Sequence, residues 1–171
     1  MFTMLLDDHR AAVSEFADRA GAVSAAAWLT PRANGKWTPA QEARHLILAY
    51  EALTADLVEG KAMRLRGTPW KRRLWRLIGL TSILWAKRIP AAVTAPREVR
   101  PEWEPAQQAT LLPLFRTRAD EFENAIVRTQ RSEPGRTLTH PMFGSLTLEH
   151  ALKLSSVHTR HHANFLPSVA R

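Results

Sequence analysis

The sequence predicts an all-α protein, a four-helix bundle with an extra short basic helix between the second and third long helices. Three observations carry that reading. Apolar residues recur at three- and four-residue spacing along four long stretches, no window alternates cleanly with period two, and helix-capping or helix-stopping residues bound the stretches. With 171 residues, the chain has the length of one domain with its own core, residues 1–171.

The first helix is expected from about Leu5 to Trp28, Ala-rich, with Val13, Phe16, Ala20 and Val23 at helical spacing. The turn Thr30-Pro31-Arg32-Ala33-Asn34-Gly35 stops it. The second has the clearest start: Thr38 as N-cap, Pro39 at the first helical position, and Gln41 placed to complete a capping box. His45, Leu46, Ala49, Leu53 and Leu57 follow as a stripe ending near Gly60. A shorter helix is expected from Pro69, capped by Thr68, to about Lys87. The third long helix begins near Pro105 and runs to about Thr129, with Pro113 as a kink or the true start. His140 to Leu146 reads as a structured loop, after which Thr147 caps a last helix reaching about Leu166.

Composition narrows the chemistry. There is no cysteine, which excludes disulfides, thiolate metal sites and a cysteine nucleophile. The longest apolar run, Leu77 to Ala86, is well short of the ~20 residues a spanning helix needs. The N-terminus lacks a basic region before its apolar residues and meets Asp7-Asp8 early, unlike a signal peptide. The expected location is cytoplasmic. Residues 61–100 hold eleven Lys or Arg against Glu98 alone, so this segment carries +10 of a net +8 and the rest sums to −2. The basicity is local.

Seven histidines fall unevenly. His158 and His162 lie four apart in the last helix, one turn above each other on one face. His45 lies on the second helix and offers a third imidazole. Three neutral imidazoles suit zinc, nickel, copper or iron and leave a coordination position open for water or a substrate atom. Spacing alone leaves a second reading, in which the pair is a solvated or core-edge feature. His161 falls off the shared face and reads as a neighbour of the pair or a surface residue. His9 is expected to be exposed, His150 to lie at a helix cap or on the surface, and His140 to line a pocket mouth or order its loop.

The stretch Gly35-Lys36-Trp37-Thr38-Pro39-Ala40-Gln41-Glu42-Ala43-Arg44-His45-Leu46 resembles the W-[ST]-x-x-[EQ]-x-x-x-H-L signature of the DinB-like superfamily of metalloenzymes. His140-Pro141-Met142-Phe143-Gly144-Ser145-Leu146-Thr147, ahead of His158-Thr159-Arg160-His161-His162, is similar to that family's second half. The resemblance covers almost the whole chain. It implies an antiparallel bundle with up-down-down-up connection, a homodimer, and a divalent metal ion, zinc or nickel foremost, held by His45, His158 and His162. It also implies that Trp37 is a packing anchor, and that the activity is S-transfer or isomerisation with a low-molecular-weight thiol, or hydrolysis. No catalytic residue follows from the sequence; Glu42, three residues before His45, is either near the site or an ordinary first-turn acid.

The basic segment matches no family motif except Ala95 to Pro101, which looks like the lead-in to the third long helix of related bundles. Trp70, Leu74, Leu77, Ile78 and Leu84 interleave with Lys71, Arg72, Arg73 and Arg76. Three roles fit: packing on one end of the bundle or a dimer interface, recognition of an anionic small molecule, or contact with a membrane surface or nucleic acid. A metal-dependent enzyme is therefore set against a non-enzymatic module that uses residues 61–100 to engage an anionic surface.

Overall fold

The computed structural model describes residues 1–90, 94–102 and 106–167. Helix α1 spans Phe2–Gly21, and its buried stripe of Val13, Phe16, Ala17 and Ala20 has helical period. The expected single helix to Trp28 is instead two. Gly21, a poor helix former, ends α1, and Ser24 opens a separate turn, α2 (Ala25–Trp28), its hydroxyl accepting from the Ala27 amide. A tertiary contact supports the break: the Gln108 amide donates to the Val23 carbonyl at 3.1 Å and also to the Ala20 carbonyl, which accepts from the Val23 amide as well. The turn lets Trp28 bury its ring and donate from Nε1 to the Ala106 carbonyl at 2.9 Å.

Helix α3 spans Pro39–Glu59, with the Thr38–Gln41 capping box formed in both directions and Gly60 ending it at φ 69°. The basic segment is one interrupted helical stretch: α4 (Pro69–Leu74), a π-turn over Trp75–Leu80, and α5 (Thr81–Ala86), stopped by Lys87 at φ 49°. Thr68 precedes it without a side-chain cap. A short 3₁₀ turn follows at Arg97–Val99. Helix α6 spans Gln108–Ser132 with Pro113 inside it; the expected start at Pro105 lies outside the described residues.

The loop expected over His140–Leu146 is a β-hairpin. Strand β1 (Thr137–His140) pairs antiparallel with β2 (Gly144–Thr147), bringing Leu138 opposite Leu146, both buried. Gly144 takes φ 72° at the end of the three-residue connection, a conformation glycine adopts without strain. Two apolar residues across four-residue strands are too few for period two to show in sequence. The Asp56 carboxylate, at the end of α3, accepts from the Thr139 amide at 2.6 Å and ties the hairpin to that helix. Helix α7 spans Leu148–Ala163, capped by Thr147 and ending three residues before Leu166.

The fold is predominantly helical, with α1 packed on α7 and α3 on α6. One buried cluster joins Phe16, Leu46, Ile47, Phe115, Phe122, Ile126, Leu138 and Leu152 from those helices and the hairpin. Among the described residues, no helix is long and apolar enough to cross a membrane. His9 is not exposed as expected but 1% accessible, its Nε2 3.0 Å from the Tyr50 hydroxyl, which lies 2.7 Å from Thr159 Oγ1. It joins α1, α3 and α7 through a buried polar chain, and nothing in the local sequence around His9 specifies those partners.

Candidate metal centre

Helix α3 and helix α7 position the three histidines. Because Thr38 and Gln41 fix where α3 begins, His45 falls on its inner face beside Leu46. On α7, His158 and His162 stand one turn apart and face it. The Nε2 of His158 lies 3.1 Å from Nε2 of His45 and 3.0 Å from Nε2 of His162. All three nitrogens lie within 4.8 Å of one another. Two imidazoles bound to one ion at about 2.0–2.1 Å stand about 3.3 Å apart at a tetrahedral angle and about 2.9 Å at a right angle. The separations here fall between those values.

The far side of two rings is fixed as well. Nδ1 of His45 lies 2.6 Å from the Val99 carbonyl, an acceptor, so Nδ1 carries the proton and Nε2 presents a lone pair. Nδ1 of His162 lies 2.5 Å from Glu42 Oε2, and both side chains are buried. Burial holds all three imidazoles neutral: His45 is lowered to about 4, and His158 and His162 are held well below their ordinary value. Burial also pushes the Glu42 carboxyl up to about 8, against the pull of Arg32. Three converging ring nitrogens, two of the rings backed by a carbonyl and a carboxyl, form a donor set suited to a cation.

The group opens on a cavity of about 790 Å³. All three histidines line that cavity, and His158 is the most exposed of them. Arg32, Lys36, Arg88 and Arg100 also line it, against Glu42 as the one carboxylate among the described lining residues. Glu42 is engaged with the Nδ1 side of His162, away from the converging Nε2 atoms. Trp37 packs on the cluster, its ring 5.0 Å from His45 and nearly parallel to His162 at 6.1 Å.

The other histidines separate cleanly. His161 is half-buried against Phe165 and lines the cavity, outside the three-nitrogen group. His140 does both things expected of it: it lines the cavity, and its Nδ1 accepts from the Met142 amide at 3.2 Å in the hairpin connection. His150 is exposed beside its cap. Sequence reasoning missed the Val99 carbonyl, because a backbone acceptor leaves no signature in residue type. Glu42 did leave one, an acid three residues before His45 and so on the same helix face.

A predominantly helical fold with a buried three-histidine group that could hold a metal ion defines the class of protein. A family model described as DinB superfamily matches residues 5–166, and the chain belongs to that superfamily. No curated protein matches the chain, and no solved structure does.

Proposed function

We propose that this chain is a metal-dependent enzyme of the DinB superfamily, with His45, His158 and His162 as ligands of a divalent ion, zinc or nickel. The observation that carries the reading is that Nε2 of His158 lies 3.1 and 3.0 Å from those of His45 and His162, with the far nitrogen of two rings held by Val99 and Glu42. When bound, such an ion lowers the pKa of a water or thiol in its open position and polarises substrate oxygen. The chain's own residues supply the rest. Val99 and Glu42 orient two imidazoles, Trp37 holds their planes, and the apolar cavity wall limits water.

The reaction class that fits is thiol-dependent S-transfer or isomerisation, or hydrolysis. The cavity's cationic lining, Arg32, Lys36, Arg88 and Arg100, favours an acidic small molecule such as a carboxylate-bearing low-molecular-weight thiol. Among the described residues that line the cavity, no carboxylate other than Glu42 is present, so deprotonation at the open position is the route that needs no further group. The architecture belonging to this reading is one domain over residues 1–171, an antiparallel four-helix bundle with up-down-down-up connection, acting as a homodimer in the cytoplasm.

Metal analysis of protein purified without a polyhistidine tag, beside His158→Ala, tests the reading. About one ion per chain, lost in the variant, is the expected result. Metal-free wild type with an intact fold, even after exposure to zinc and nickel, would overturn it.

A further inference from the structure

Of the eleven large apolar side chains exposed among the described residues, seven fall between Leu65 and Trp85. Trp70, Leu77, Ile78 and Trp85 are 62%, 71%, 62% and 87% accessible, and Leu74 and Trp75 about half. Trp70 and Leu74 lie one turn apart on α4, Leu77 and Ile78 lie in the π-turn and Trp85 on α5, so an exposed apolar face runs along the segment. Of the residues expected to pack on the bundle only Leu84 does so, beside Leu80 and Ile83. Leu80 and Ile83 are buried, Leu84 is partly buried, and Trp75, Gly79 and Ile83 line the wall of the metal cavity. Gly79 permits this arrangement, since a Cβ there would stand 2.8 Å from the Trp75 ring.

The charges beside that face are of one sign. Lys71, Arg73, Arg76, Lys87 and Arg88 are exposed and Arg72 is half-buried, and among the described residues none of the six forms a salt bridge. Arg72 and Arg76 reach only backbone carbonyls, of Gly67 and Ser145.

We propose that the α4–α5 segment docks this protein on an anionic lipid surface, burying Trp70, Leu74, Leu77, Ile78 and Trp85 at the headgroup–acyl boundary while its arginines and lysines meet lipid phosphates and carboxylates. The charge decides against a second copy, because an isologous contact would bring two faces of the +10 segment together. The aliphatic exposure decides against nucleic acid, since Leu74, Leu77 and Ile78 gain nothing from a phosphodiester backbone and transfer favourably into acyl chains. Tryptophan at both ends and basic residues between them match a helix lying in the interface plane. The segment is too short to span a bilayer, so the contact is peripheral. It does not depend on the metal reading.

The test is sedimentation of the full chain with vesicles of phosphatidylcholine alone and of equimolar phosphatidylcholine and phosphatidylserine, with tryptophan quenching by bromine-labelled acyl chains. Binding to the anionic vesicles, weakened by salt and accompanied by quenching, is expected. Arg72→Gln with Arg73→Gln should weaken it about 30-fold, and Leu77→Ser with Ile78→Ser at least about tenfold. Thermal midpoint and metal content should stay as in wild type, since Arg73, Leu77 and Ile78 are exposed, Arg72 bonds only the Gly67 carbonyl, and none of the four lines the cavity of the histidines. Three results would overturn the proposal: equal indifference to both vesicles, binding without quenching, or oligonucleotide binding that survives the Leu77/Ile78 pair. So would a dimer that dissociates on Leu77→Ser with Ile78→Ser while vesicle binding is absent.

Discussion

Glu42 tests the metal centre more finely than a ligand does. Its Oε2 lies 2.5 Å from Nδ1 of His162, in a site where the carboxyl is 3% accessible. With an ion on Nε2, the proton sits on Nδ1 and the carboxylate accepts it, which raises the basicity of the ligand and locks its ring. Loss of such a partner lowers metal affinity about 10–100-fold, or about 1.4–2.8 kcal/mol. Glu42→Gln keeps the shape and an accepting oxygen but loses the charge, so it belongs near tenfold. Glu42→Ala leaves the Nδ1–H without a partner and belongs near 100-fold. Competition with a chromophoric chelator at pH 7 measures both, and thermal midpoints of the metal-free proteins control for folding. Wild-type affinity in both variants would refute the reasoning, and so would equal losses in both. The metal-free protein carries a second signature. Burial raises the folded carboxyl from 4.5 to about 8, so its stabilising contribution is complete below about pH 4.5 and is lost as pH rises through about 8. Glu42→Gln should remove that decline.

Acid should act on the histidines in the opposite sense. His45 titrates at about 4 when folded against 6.5 unfolded, so between those values the unfolded chain takes up a proton that the folded chain refuses. Stability and metal occupancy should both fall as pH drops from about 6.5 towards 4, followed by circular dichroism and metal release. Tyr50→Phe removes the hydroxyl between His9 Nε2 and Thr159 Oγ1 and should cost about 1–3 kcal/mol in denaturant unfolding, with metal content unchanged. Asp56→Ala frees the Thr139 amide and should cost a similar amount. Faster amide exchange in β1 and β2 than in α3 would place that loss in the hairpin; uniform exchange would refute the anchoring role.

Residues that act through local geometry were legible without coordinates. The start of α3 follows from Thr38, Pro39 and Gln41, whose side chains and backbone satisfy one another within a single turn. The His158–His162 pair follows from four-residue spacing. Elements held by distant partners were not legible. The break after Gly21 is stabilised by Gln108, far along the chain, and the hairpin is tied down by Asp56. His9 was misplaced because its partners, Tyr50 and Thr159, belong to other helices. Glu42 reads equally as a first-turn acid or a site residue in the sequence, and its contact with His162, from another helix, is what assigns it to the site.

By itself the sequence determined the helical class, the caps, the histidines able to share a face and the concentration of positive charge in one segment. These depend on residue type and on intervals of a few residues, which the helix converts directly into direction. Only the tertiary structure decided that His45 meets the pair on α7, that Val99 and Glu42 stand behind two of the rings, and that Leu77 and Ile78 face outward while Leu80 and Ile83 face the core. Each of those depends on which helix packs against which, and on the π-turn that changes the phase of the basic segment between its exposed and buried residues. Packing is a property of the whole chain, and no local interval encodes it.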